Sequence, residues 1–216
     1  MGTRGAHGFR VRGEDKVAYN DKDSYPDCLG EEVIRFIQQI GSVKRLRSIA
    51  RRMDLVDEDD APTFGYLGIV GRLIALVVKW RRHATGWHYL SLEYSRSLDW
   101  YRRVGCIPGN AEFLLDGLFC EWAYIINVDS ETLEIYATTN SDNTPQGRYC
   151  TIHPEPDMDG EVRRGVSLLF EVPLSIVIGM SDVNTDRLVS LLTELPESGI
   201  PHERCNQLML DTHHQE

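Results

Sequence analysis

Asn20, Asp23, Ser24 and Tyr25 lie within six positions of one another, where a hairpin ends and a helix is about to begin. Side-chain donors and acceptors gathered on rigid elements are the usual material of a binding or catalytic site. The same residue types also make ordinary turns and helix caps. Thr3 and Arg4 open the first strand of that hairpin, and Glu121 stands within an apolar run much later in the chain. If these side chains converge, Arg4 would hold an anionic group and Glu121 or Asp23 would move protons. Asn20 and Tyr25 would orient a substrate, with Thr3 and Ser24 completing the wall. A carboxylate inside an apolar strand either acquires a raised pKa or pairs with a cation. Arg4 is the cation we expect beside Glu121, pinning the N-terminal strand to the sheet.

The elements that must position these residues follow from the pattern around them. Residues 6–11 form a strand-like run, Gly13-Glu14-Asp15 reads as the turn, and residues 16–19 as the returning strand. In residues 29–40, Val33, Phe36, Ile37 and Ile40 recur at helical spacing, and Glu31 and Glu32 suit the helix dipole. Gly41-Ser42 interrupts, and a second helix runs over 43–53. Its apolar face is Val43, Leu46, Ile49, Ala50 and Met53; its opposite face is Lys44, Arg45, Arg47, Arg51 and Arg52. Such a face is commonly just solvated, and the acidic run 54–60 carries enough charge to neutralise it locally. Residues 66–80 read as a buried core helix and 90–104 as another. Residues 118–128 and 132–138 form the clearest hairpin, apolar on both faces, which buries Glu121 and Asn127 in a central strand. Residues 139–160 are a loop, 166–172 another strand, and 184–195 a C-terminal helix. The expected fold is therefore α+β, an antiparallel sheet built from the two hairpins with helices packed on it. It occupies 1–195 as one domain, and 196–216 form a polar tail.

Composition narrows the function classes. A net charge of −10 over 216 residues argues against general nucleic-acid binding, which relies on a cationic surface. The apolar stretch 66–80 is too short and too charged to cross a membrane. The five cysteines, Cys28, Cys106, Cys120, Cys150 and Cys205, are odd in number and form no CxxC, which points to the reducing cytoplasm. Cys28, next to the polar cluster, has no visible base and reads as a semi-buried thiol. There is no GxxxxGK(S/T), GxSxG, HExxH or GxGxxG, and the histidines fall at no zinc spacing. No metal and no cofactor is expected.

The pieces Met1-Gly2-Thr3-Arg4-Gly5, Tyr19-Asn20, Asp23-Ser24-Tyr25-Pro26, Leu29-Gly30 and Leu118-Phe119-Cys120-Glu121-Trp122-Ala123-Tyr124 resemble an uncharacterised protein family of actinobacteria, their phages and, distantly, fungi. The resemblance covers the first thirty residues and the 118–136 hairpin, and little beyond. It implies no activity, but it implies that the two blocks meet in space. A hairpin at the chain start closed by Asn20 is also similar to the opening of N-terminal-nucleophile hydrolases. Those expose Cys, Ser or Thr as residue one, whereas removal of Met1 here exposes Gly2.

Two functions are consistent with these residues. One is a small-molecule-binding pocket, able to support hydrolysis, lined by Thr3, Arg4, Asn20, Asp23, Ser24, Tyr25 and Glu121. The other is a non-catalytic interaction protein, such as a phage-encoded inhibitor of a host factor, in which an exposed apolar patch replaces the cleft. Whether the chain is an enzyme stays open on the sequence, and its partner is a small molecule or a protein.

Overall fold

A computed structural model describes residues 2–56, 98, 101–102, 106–138, 146–150 and 164–198. β1 (Gly5–Val11) and β2 (Glu14–Asn20) form an antiparallel hairpin with Val11 opposite Glu14 and Arg10 opposite Asp15. The turn is therefore Arg12-Gly13 rather than Gly13-Glu14-Asp15. Both turn residues have positive φ, 56° and 76°, the geometry whose twist matches that of the flanking strands. The Asp129 carboxylate accepts the Arg12 and Gly13 N–H groups, each at 2.9 Å, and so ties this turn to the next hairpin.

Those two bonds, Gly13 first, hold the Asp129 carboxyl below the usual carboxylate range. A depressed folded pKa contributes stability above the unfolded value, about 3.9, and loses it as pH falls through the lower folded value. Asp129→Ala should therefore cost about 1 kcal/mol at neutral pH, a charge-assisted bond pair discounted for its exposure. In urea melts across pH, the gap from wild type should close below about pH 4. A gap that persists into strong acid would mean that the carboxylate charge is not what holds the turn.

β5 (Trp122–Asn127) and β6 (Thr132–Ala137) pair antiparallel, as do β6 and β7 (Ser167–Pro173), with a register shift at Ile135/Tyr136. The strand order is β2-β1-β5-β6-β7. The α+β class stands, but the sheet is mixed rather than antiparallel, because β1 runs parallel to β5 from Gly5↔Trp122 to Arg10↔Asn127. Parallel neighbours need a long crossover, and the chain between β2 and β5 supplies one whose described residues contain two α-helices. Strands buried on both faces, as β1 and β5 are, suit the centre of such a sheet. A further short parallel pair, β3 (Asp54–Val56) with β4 (Cys106–Pro108), was not visible in the sequence pattern.

One sheet face, with Phe9, Tyr124, Ile126, Ile135 and Val172, shares a core with four helices among the described residues. They are α1 (Glu31–Ile40), α2 (Val43–Arg52), α3 (Leu174–Gly179) and α4 (Asp182–Ser198). α1 buries Val33, Phe36, Ile37 and Ile40 as its spacing requires, with Ile34 besides. The opposite face, with Ala6, Val17, Ala123, Ile125 and Tyr136, is covered by the turn Ala111–Leu115 and by Tyr149 and Val166. Cys120 belongs to this second core and not to the Trp122 face that alternation assigns it, since it precedes the strand. The helix expected over 66–80 lies outside the described residues, as do nearly all of 90–104 and most of 139–160. α4 runs to Ser198, past the expected end at 195, and the rest of the tail lies outside. Among the described residues, no helix is long and apolar enough to cross a membrane.

Candidate functional site

The parallel pairing of β1 with β5 brings the start of one beside the start of the other, so the N-terminal residues and the segment before Trp122 do meet. The Glu121 N–H donates to the Arg4 carbonyl at 3.0 Å, and the Ser24 N–H donates to the Thr3 carbonyl at 3.2 Å. Thr3, Asn20 and Ser24 are thus gathered and buried. Their polar atoms, however, are spent on the loop itself. One Asn20 Nδ2 proton goes to the Ser24 hydroxyl at 2.7 Å and the other to the Lys22 carbonyl. The Tyr124 hydroxyl donates to the Ser24 carbonyl at 3.1 Å, and the Leu29 N–H to the Asp23 carbonyl at 3.3 Å. Asp23 itself adopts φ 55°, which turns the chain while its side chain points to solvent. An amide with both protons committed has no donor left for a ligand.

Thr3 is the exception. Its Oγ1 is buried without a partner in a residue 2% exposed. An unbonded buried hydroxyl costs stability, so Thr3→Val should be neutral or stabilising by up to about 1 kcal/mol. Urea denaturation measures this directly. A clear loss of stability would reveal a hydroxyl partner and reopen the pocket reading.

Glu121 differs from its expected environment. It lies just outside β5 and is exposed, so the premise of a carboxylate buried in a central strand fails. The strand that alternation suggested over 118–128 begins only at Trp122, because residues 116–119 turn. Nor does Glu121 pair with the Arg4 guanidinium: its Oε1 meets the Arg4 backbone N–H at 3.4 Å. The guanidinium instead lies over the Phe119 ring, 5.7 Å from its centroid. Around this end of the sheet Leu118 is 65% exposed, Phe119 42% and Tyr25 48%. Arg4 and Glu121, both exposed, border them.

The densest polar constellation is on the second sheet face. Asp15, Arg10, Asn127 and Glu134 come from four successive strands. Arg148 enters from outside the sheet, its Nη1 donating to Glu134 Oε2 at 2.6 Å and its Nη2 to Asp15 Oδ1 at 3.1 Å. Arg10 donates to Asp15 Oδ2 at 2.9 Å, Asn127 to Glu134 Oε1 at 2.6 Å and the Tyr136 hydroxyl to Glu134 Oε2 at 3.0 Å. The Arg148 guanidinium also stacks on Tyr149 and Tyr136, 4.6 and 5.5 Å from their centroids. Burial pushes both phenols up, so they stay protonated donors. Every carboxylate oxygen here has a donor, which makes the network a structural clasp. Asn127 could be found from the sequence as a buried polar residue, and the hairpin alternation held a signal for Glu134. Arg148, in a segment read as loop, carried none.

Two further groups can be assigned. His7, buried in β1, shares a 2.6 Å hydrogen bond through Nδ1 with the buried Tyr101 hydroxyl, which also reaches the His7 carbonyl at 3.1 Å. Burial, with Asp27 next, pushes the Cys28 thiol above its ordinary value, away from the thiolate a nucleophile needs. Among the described residues, no three His, Cys, Asp or Glu side chains gather to hold a metal ion. Comparison with protein-family models, with curated proteins and with solved structures finds no match to this chain.

Proposed function

We propose that this chain is a non-catalytic interaction protein that binds a protein partner through the surface at the start of β1 and β5. The observation that supports this reading is the exposure of Leu118 and Phe119 just before β5 and of Tyr25 just after the hairpin, with the exposed Arg4 guanidinium over the Phe119 ring. Exposed aromatic and aliphatic side chains with charges at their rim are the composition of a protein-binding patch. Beneath them, the Asn20 amide and the Ser24 hydroxyl, two of the groups that would hold a small molecule, are engaged in closing the 21–24 loop. Inhibition of a host factor is one form such binding can take.

The test compares wild type with Leu118→Ser/Phe119→Ser, both checked for an unchanged melting temperature. Cross-linking of the purified protein in extract of its source cells should yield a defined partner with wild type and lose it with the variant. In parallel, a metabolite and nucleotide panel should leave the wild-type melting temperature unchanged. A metabolite that raises the midpoint by several degrees, and fails to do so with Glu121→Gln, would replace this reading with the small-molecule one.

A further inference from the structure

α2 presents a charge arrangement that the described residues do not offset. Five of its ten residues are Lys or Arg. Arg47 is accounted for: it donates to the Val128 carbonyl at 2.9 Å and to Glu131 Oε1 at 2.6 Å, fastening the helix to the β5–β6 turn. Lys44, Arg45, Arg51 and Arg52 are exposed, and among the described residues none of them reaches a carboxylate. The neutralisation expected from the following acidic run is therefore not made by Asp54, and 57–60 lie outside the described residues.

This arrangement costs helix stability. Lys44 and Arg45 stand in the first turn, which holds no acidic residue, where the helix dipole disfavours cations. Ser42 at the N-cap makes no side-chain bond to relieve that turn. The chain has 33 Asp and Glu against 23 Lys and Arg, so carboxylates are plentiful, yet among the described residues none pairs with these four cations. A local rule broken without compensation among the described residues points to a use for these cations in binding.

We propose that the exposed face of α2 docks an acidic segment of a protein partner, with Lys44, Arg45, Arg51 and Arg52 receiving its carboxylates. The length argues for a peptide rather than a polynucleotide. A helix of this size spans about 15 Å, and the two cation pairs sit about 10 Å apart along it, two turns of a facing acidic helix. A duplex backbone, longer than this patch, would gain few phosphate contacts from it and would meet the exposed Asp54 at its end. Leu55, 39% exposed just beyond the helix, adds an apolar contact that a protein segment can use and a phosphate backbone cannot. The proposal rests on the interaction reading above but uses a different surface, so Leu118 and Phe119 stay intact in its test.

The probe is a fluorescein-labelled synthetic peptide of glutamates with leucines at helical spacing, titrated with the full chain by fluorescence anisotropy. A labelled DNA duplex serves as the competing polyanion. Wild type should bind the peptide, and Lys44→Glu/Arg45→Glu/Arg51→Glu/Arg52→Glu should weaken it at least about tenfold. The same four positions changed to Gln provide a second variant if charge reversal impairs folding. The Lys44→Glu and Arg45→Glu changes should hold or raise the melting temperature, since acids suit the first turn. Peptide binding that is absent, or equal in the variants, overturns the proposal. Tighter binding of the duplex through the same four residues also overturns it, in favour of a nucleic-acid surface.

Discussion

Gly8→Ala is expected to remove more than about 4 kcal/mol of stability, a large fraction of what a folded domain has in reserve. A Cβ on Gly8 would stand 2.1 Å from the Lys16 carbonyl oxygen and 2.8 Å from the Val17 Cα. Both obstacles are backbone, so no side-chain rotation relieves them. β1 cannot retreat either, since it is hydrogen-bonded to β2 on one side and β5 on the other. Moving it by the ångström or more that relief requires would break one ladder or the other. Soluble yield and the urea midpoint measure the outcome. Gly13→Ala is the control: nothing lies within 4 Å of its Cβ, and only the positive φ of 76° opposes the change. That strain costs about 1 kcal/mol. If Gly8→Ala proves no worse than Gly13→Ala, β1 is looser than its two ladders indicate.

Glu134→Ala should be the most damaging side-chain change on the second sheet face, costing about 3 kcal/mol or more. The carboxylate is buried and receives Arg148, Tyr136 and Asn127 together. Its removal takes the 2.6 Å carboxylate partner from the Arg148 guanidinium, which still has Asp15 and Tyr149, and leaves the Asn127 amide and Tyr136 hydroxyl facing a void. Glu134→Gln keeps the size and one acceptor oxygen but sets an NH2 donor against the donors that faced the other, so it should be milder than Glu134→Ala yet still destabilising. Arg148 is one-quarter exposed, which lets water recover part of its hydration and keeps the estimate at the lower end of the range for buried pairs. Equilibrium denaturation of Glu134→Ala, Arg148→Ala and the double variant gives the coupling between them. Additive losses would mean that Glu134 and Arg148 act independently, and the clasp would then be a set of separate contacts.

Local pattern carried a large part of this fold. Val33, Phe36, Ile37 and Ile40 could only share a buried stripe if 31–40 was a helix, and they do. The near-continuous apolar run at 122–128 required burial on both sides, which a central strand provides. The adjacency of Thr3, Asn20 and Ser24 was also legible, because a hairpin returns its second strand to where the first began. What the individual polar residues do there was not. Asn and Ser next to a turn bond the backbone as readily as a ligand, and sequence alone does not decide between the two. Glu121 shows the same limit at an element boundary: a strand beginning one residue later turns a buried acid into an exposed one.

Helical and strand periodicity, charge balance and turn chemistry are properties of neighbouring residues, and so the sequence by itself determined the α+β class, the hairpins and the two amphipathic helices. The parallel β1–β5 pairing, the Arg148 clasp and the Arg47 anchor of α2 depend on which distant segments come together. Arg148 and Glu134 are 2.6 Å apart across fourteen positions of chain, and Arg4 and Glu121 are neighbours across 117. Loop-closure entropy depends only weakly on such separations, so no local signal records them. Only burial of the whole core, in which every strand excludes the alternatives for the next, selects those contacts.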